Sequence, residues 1–236
     1  EPWVSDGTLA GTRMLKDIRQ SSTYHQTSSY PRYFTFFKGK VYFGVRWGES
    51  FNSGELWTTD GTEAGTQMLA VMPGSAYSPT DLVPGQQLMY FGAPATTNPP
   101  HDVEPWRTDG TVAGTFPIKN INPFASSFYP TDDYYSDNFL VMANDQAYFS
   151  ATDGLNGYEL WTTDGTEAGT HLVRDLNPAV CGENDYFCSG NPDLFNRFGN
   201  NIIFRANPMS SNYDFGKVWR SDGTTNGTQP LTWNNQ

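Results

Sequence analysis

Little in this 236-residue sequence is basic, sulfur-bearing or continuously apolar, and each shortage removes a class of function. Lys and Arg number 14 against 25 Asp and Glu, a formal charge of −11, and no Lys/Arg cluster offsets it; this argues against nucleic acid and anionic membrane surfaces as partners. No segment approaches the roughly 18 apolar residues of a membrane-spanning helix, and none keeps a helical period, so neither membrane insertion nor a helical fold is expected. His25, His101 and His171 lie far apart without a second ligand at metal-binding spacing, which argues against zinc. No Gly-x-Ser-x-Gly elbow, reactive-cysteine context or phosphate loop occurs. Cys181 and Cys188 enclose a short Gly/Asn/Asp-rich loop and read as a disulfide. With Asn226-Gly227-Thr228 as a glycan acceptor, they favour a secreted or cell-surface setting. The first residue is Glu1 rather than Met, as expected after removal of a signal peptide or in a fragment of something longer.

What is abundant is punctuation. The 23 Gly, 16 Pro and 15% aromatic residues point to many turns joining short aromatic-rich strands. One stretch recurs from end to end: Glu55-Leu56-Trp57-Thr58-Thr59-Asp60-Gly61-Thr62-Glu63-Ala64-Gly65-Thr66 returns in variants around Trp3, Trp106, Trp161 and Trp219. The five tryptophans stand 54, 49, 55 and 58 residues apart. Asp accepts N–H bonds from one or two residues ahead and Gly permits positive φ, so each copy reads as a tight hairpin loop between two strands. Asp6, Asp60, Asp109, Asp164 and Asp222 thus have a turn to form before any ligand to bind. Trp3, Trp57, Trp106, Trp161 and Trp219 are expected to wedge between neighbouring sheets. The Glu beside each Trp needs partners, and backbone N–H groups of an adjacent hairpin are the expected ones. Pro2 and Pro105 replace the Leu, which puts that position at a strand start or a bulge.

Between motifs run further aromatic strands, such as Phe34-Thr35-Phe36-Phe37 and Val41-Tyr42-Phe43 around Lys38-Gly39. Each full unit supplies four strands in about fifty residues, the content of a propeller blade. The expected fold is therefore all-β: one domain over 1–236, a small five-bladed β-propeller. It has a half blade at 1–18 and complete four-stranded blades at approximately 28–72, 76–121, 127–177 and 190–233. A sandwich would not repeat one motif five times. The surplus half blade must find strands beside it. Contact with the first and last blades, residues further upstream, or a neighbouring molecule could each provide them.

The motif resembles that of the ELWxxDGT-repeat proteins, matched outright by Glu55 to Thr62 and by Glu159-Leu160-Trp161-Thr162-Thr163-Asp164-Gly165-Thr166. The likeness covers nearly the whole chain and implies a secreted or surface-displayed repeat protein, without catalytic residues or a ligand to carry over. Pro2, Pro105 and Val218 depart from its Leu, and Lys217 from its Glu. The hairpin is also similar to the Asp-box turn of sialidase propellers, and in blade number and length the chain is similar to the five-bladed tachylectin type of lectin.

No carboxylate pair is marked out by its surroundings among Glu49, Asp132, Asp133, Asp153 and Asp185, so a non-enzyme is expected; a glycosidase-like propeller is the alternative. Asp153, Asn156 and Asp185 offer oxygen ligands in Gly-containing loops, so calcium is the one cofactor the sequence leaves room for, without a full EF-hand. Trp47, Tyr134, Tyr135 and Trp233 lie outside the repeat positions, beside carboxylate or amide groups, in a pattern suited to gripping a sugar ring. The expected function is recognition of carbohydrate or another extracellular polymer through several weak sites, lectin-like or adhesive. The alternative is a structural unit of an extracellular filament or surface assembly, in which the chain pairs with itself or another chain through its incomplete first blade.

Overall fold

The computed structural model describes residues 1–19, 28–46, 54–73, 78–96, 102–128, 140–178, 189–207 and 216–231, and among these there are strands and turns but no helix. The opening strands, β1 (Trp3–Val4) and β2 (Arg13–Met14), form a two-stranded sheet of their own. Four antiparallel meanders come after it. The first is β3 (Pro31–Phe37), β4 (Lys40–Val45), β5 (Glu55–Thr59) and β6 (Gln67–Val71). The second is β7 (Thr80–Pro84), β8 (Met89–Pro94), β9 (Val103–Thr108) and β10 (Phe116–Pro117). Then come β11 (Leu140–Ala143), β12 (Gln146–Thr152), β13 (Tyr158–Thr163) and β14 (His171–Arg174). The last is β15 (Asp193–Phe198), β16 (Asn201–Ala206), β17 (Lys217–Ser221) and β18 (Gln229–Pro230). The chain is an all-β protein of propeller type, with four complete blades and a half blade ahead of them.

Short loops fix each meander. Phe37 pairs with Lys40 and Ala143 with Gln146, leaving two-residue turns in which Lys38, Gly39, Asn144 and Asp145 all take positive φ, the geometry that matches strand twist. The first strands carry a second irregularity. Register shifts between Arg32 and Thr35, Thr80 and Val83, and Asp193 and Asn196, with Tyr33, Asp81 and Leu194 at φ of 56, 52 and 53. In the third strands it shifts between Leu56 and Trp57 and between Leu160 and Trp161. Pro105 stands at the same position in β9, and Pro2 just before β1, where a lost ladder N–H costs least.

By packing the chain forms two compact units, Glu1–Asp102 with Trp106–Pro117, and Val103–Pro105 with Ile118–Gln236. In the first, Phe37, Tyr42, Leu56, Leu69 and Met72 of one blade meet Leu82, Met89, Phe91, Ala93 and Trp106 of the next. In the second, Ala143, Tyr148, Leu160, Val173 and Leu176 meet Phe195, Ile202, Phe204, Ala206 and Trp219 in the same register. Each large side chain so buried contributes about 1.5–3 kcal/mol.

Four motif tryptophans are buried: Trp57, Trp106, Trp161 and Trp219. Trp57, Trp106 and Trp219 stack on Phe43, Phe91 and Phe204 of the strand beside them. Trp3 is 62% exposed, so the expectation of five equivalent wedges fails there. The half blade has no described second strand to set a phenylalanine beside it.

Candidate functional site

Every motif loop builds the same hydrogen-bonded turn. At Asp60, the N–H and hydroxyl of Thr62 donate to Oδ1 at 2.9 and 2.7 Å. Gly65 N–H then donates to the Thr62 hydroxyl at 2.9 Å, and the hydroxyls of Thr59 and Thr66 meet at 2.7 Å. The same Thr-to-Asp bonds recur at Asp6, Asp109, Asp164 and Asp222. The threonine hydroxyl first, and its N–H second, hold all five carboxyls below the ordinary aspartate range. The first Gly of each loop takes positive φ, whereas the second is Gly because a Cβ on Gly65 would overlap the Asp60 carboxylate. These carboxylates are turn-formers.

The motif glutamates clamp the chain as it leaves their blade. Seventeen residues after each of three Glu, a backbone N–H donates back: Ile18 to Glu1 at 2.9 Å, Ile121 to Glu104 at 2.9 Å, and Leu176 to Glu159 at 2.7 Å. A second grip comes from the start of the next blade, through the Ser29 and Ser127 hydroxyls and the Gly190 N–H. The partners are thus the segment leading to the next blade, not a neighbouring hairpin loop, because the carboxylate, fully buried at Glu104 and Glu159, lies where the chain crosses between sheets. Glu55 also accepts the Trp57 indole N–H at 2.7 Å. Burial dominates at Glu159: although two N–H groups favour its charge, desolvation with Asp175 and Asp153 nearby pushes its carboxyl up to about 8. Lys217 takes the Glu position in the last copy, and the residue seventeen further on, Asn234, lies outside the described residues.

Cations in or just past the last strand of a sheet tie consecutive sheets together. Lys16 donates to the Thr66 carbonyl at 3.1 Å, Lys119 to Thr170 at 2.9 Å and Arg174 to Thr228 at 2.6 Å. Lys16 and Arg174 also lie over the rings of Trp57 and Trp219. The sequence reading missed these cations, although their equivalent place, four residues after the last Thr of three of the five motif copies, was a usable signal.

Of the candidate ligand residues, Asp153 and Asn156 are described. Asp153 Oδ1 accepts the Leu155 and Asn156 N–H groups, both at 2.9 Å, and Oδ2 accepts the Asn156 side-chain amide at 2.8 Å, so the pair forms a turn. Among the described residues no group of three His, Cys, Asp or Glu could hold a metal ion. Trp47, Tyr134, Tyr135, Trp233, Asp185, Cys181 and Cys188 lie outside the described residues, as do Glu49, Asp132 and Asp133. Asp81, which sequence reasoning passed over, sits on the strained bulge of β7, and burial pushes its carboxyl up to about 6.

The surface that departs from the repeat is on the first complete blade. Phe34 aligns by register with Leu82, Leu140 and Phe195, which are 6%, 5% and 2% exposed; Phe34 is 52% exposed. Val41 is half-buried where Met89, Ala147 and Ile202 are fully buried. Phe34 stacks on Phe43 within its own sheet, so its other side faces outward, next to the half blade whose Ile18 packs with Phe43, Val45 and Trp57.

No protein-family model matches the chain, and no curated protein matches it. Among solved structures, a puromycin-hydrolyzing peptidase of Mycobacterium tuberculosis is similar over 94% of this chain and 30% of that one, at 10% identity and a TM-score of 0.51. An acylaminoacyl peptidase of Pyrococcus horikoshii is similar over 86% of this chain and 27% of that one, at 10% identity and a TM-score of 0.48. A family 117 glycoside hydrolase of Zobellia galactanivorans is similar over 86% and 69%, at 12% identity and a TM-score of 0.37. The chain spans less than a third of the length of the two peptidases, and the likeness to the first is one of fold alone.

Proposed function

We propose that this chain is a non-enzymatic, secreted or surface-displayed binding module of the ELWxxDGT-repeat kind, which associates within an extracellular assembly through the exposed face of its first complete blade. The observation that carries this reading is the exposure of Phe34 at a position buried in every other complete blade. The described motif carboxylates support it as well, because they are engaged in their own turns or clamps rather than gathered into an acid–base pair. Carbohydrate recognition would rest on Trp47, Tyr134, Tyr135 and Trp233, which lie outside the described residues. Sedimentation velocity over a rising concentration series tests the reading: association is expected for the native chain, and Phe34→Asp should abolish it. A native chain that stays monomeric throughout, or clear turnover of chromogenic glycosides or peptides, would overturn it.

A further inference from the structure

The last motif copy differs from the others at its crown. Ala10, Ala64, Ala113 and Ala168 come before the second glycine of the first four loops, and Asn226 takes that place in the fifth. The exchange turns Ala-Gly-Thr into Asn-Gly-Thr, the one Asn-x-Ser/Thr acceptor sequence with x other than Pro in the chain.

Two of its three residues already have a task in the turn. A Cβ on Gly227 would overlap the Asp222 carboxylate, and the Gly227 N–H donates to the Thr224 hydroxyl at 2.9 Å. Thr228 is fully buried; its hydroxyl donates to the Thr224 carbonyl and meets the Ser221 hydroxyl, both at 2.7 Å. The other four copies hold their Gly and Thr by the same contacts. Asn226 has no such task. The loop keeps its shape around the exchange, since the Gln229 amide donates to the Asn226 carbonyl as the Gln67 amide does to that of Ala64. The Asn226 side chain is exposed, as are the four alanines, and among the described residues it makes no hydrogen bond. Turn geometry therefore accounts for Gly227 and Thr228 and leaves Asn226 unexplained.

We infer that Asn226 is an N-glycosylation site, and that its glycan is attached before the last blade folds. In the transfer, the Asn226 side-chain nitrogen bonds to the anomeric carbon of an oligosaccharide carried on a polyprenyl diphosphate. The bond from that carbon to the diphosphate oxygen breaks, the diphosphate leaves with the electron pair, and the amide gives up one proton to a base of the transferase. The transferase must also reach the hydroxyl two residues on, and the folded chain withholds it at Thr228. The folded loop thus presents the attachment point and hides the recognition point, so the acceptor is usable only while Ser221, Thr224 and Thr228 are still apart. Once attached, the glycan stands in water at the loop crown, and the bonds of the turn, none of which uses the Asn226 side chain, stay intact. The inference depends on the export named in the proposed function and not on association through Phe34.

Expression behind a yeast secretion signal tests the site. A mass excess removed by peptide-N-glycosidase is expected on the native chain and should be absent from Asn226→Gln, an exposed exchange that leaves the turn alone. The order of events is tested with chain made in a bacterial cytosol and offered an oligosaccharyltransferase with lipid-linked oligosaccharide. The native chain should react at least about tenfold more slowly than a peptide of residues 220–230, because reaction awaits local opening of the loop. An unmodified chain from yeast would overturn the site, and a native chain that reacts as fast as the peptide would overturn the timing. Neither result bears on the assembly reading, which is decided by the sedimentation of the native chain and Phe34→Asp.

Discussion

A single motif loop couples two residues that neither composition nor propensity would link. Removing the Asp60 carboxylate deletes two accepted hydrogen bonds and lowers stability. Gly65→Ala sets a methyl against that carboxylate and costs about 1–3 kcal/mol. In the double variant the Cβ has no carboxylate to meet, so the combined loss measured by urea unfolding should fall below the sum of the singles. Strict additivity would mean that the second glycine serves backbone conformation instead. Asp60 and Gly61 were legible in the sequence because their chemistry is local, whereas the task of Gly65 depends on where a side chain five residues earlier folds back.

Among the elements, a motif strand is worth what lies on both sides of it. Trp219→Ala removes an indole stacked on Phe204 and capped by Arg174, and about 3–5 kcal/mol is the expected loss. Trp3→Ala, at the same repeat position, should cost less than about 1 kcal/mol, because its ring is largely in water already. Thermal or denaturant melts of the two variants check this contrast, and equal losses would contradict it. Strand content, hairpin loops and blade count could be read from the spacing of five tryptophans, since period and turn chemistry are written within each copy. The exposure of Phe34 could not be read this way: its residue type matches Phe195, and only their surroundings separate the 52% exposure of one from the 2% of the other. The glutamate partners were half legible. Backbone donors could be inferred from the need to satisfy a buried carboxylate, but their place depends on how the chain crosses from sheet to sheet.

For the molecule as a whole, carboxyls of opposite tendency set the pH of greatest stability. The five loop aspartates are held below their ordinary pKa, so the stability they give is lost as pH falls through that lowered range. Asp81 and Glu159 are raised to about 6 and about 8, so the folded chain keeps protons that the unfolded chain releases. Stability therefore falls as pH rises from the ordinary carboxyl range through those two values. The chain should melt at a higher temperature at pH 5 than at pH 8, and Glu159→Gln should flatten most of that slope. A melting temperature that climbs from pH 5 to pH 8 would contradict this account.

The glutamate clamp has a bearing on how such chains lengthen or shrink. Each carboxylate grips the crossing that leads out of its sheet and into the next, so the two halves of the bond lie within a span running from one Glu to the start of the first strand in the next blade. A gene duplicated or trimmed in that frame keeps every grip intact. A cut made at sheet boundaries would strand a buried carboxylate on one side and unbonded amides on the other, so the heritable module here is offset from the visible one.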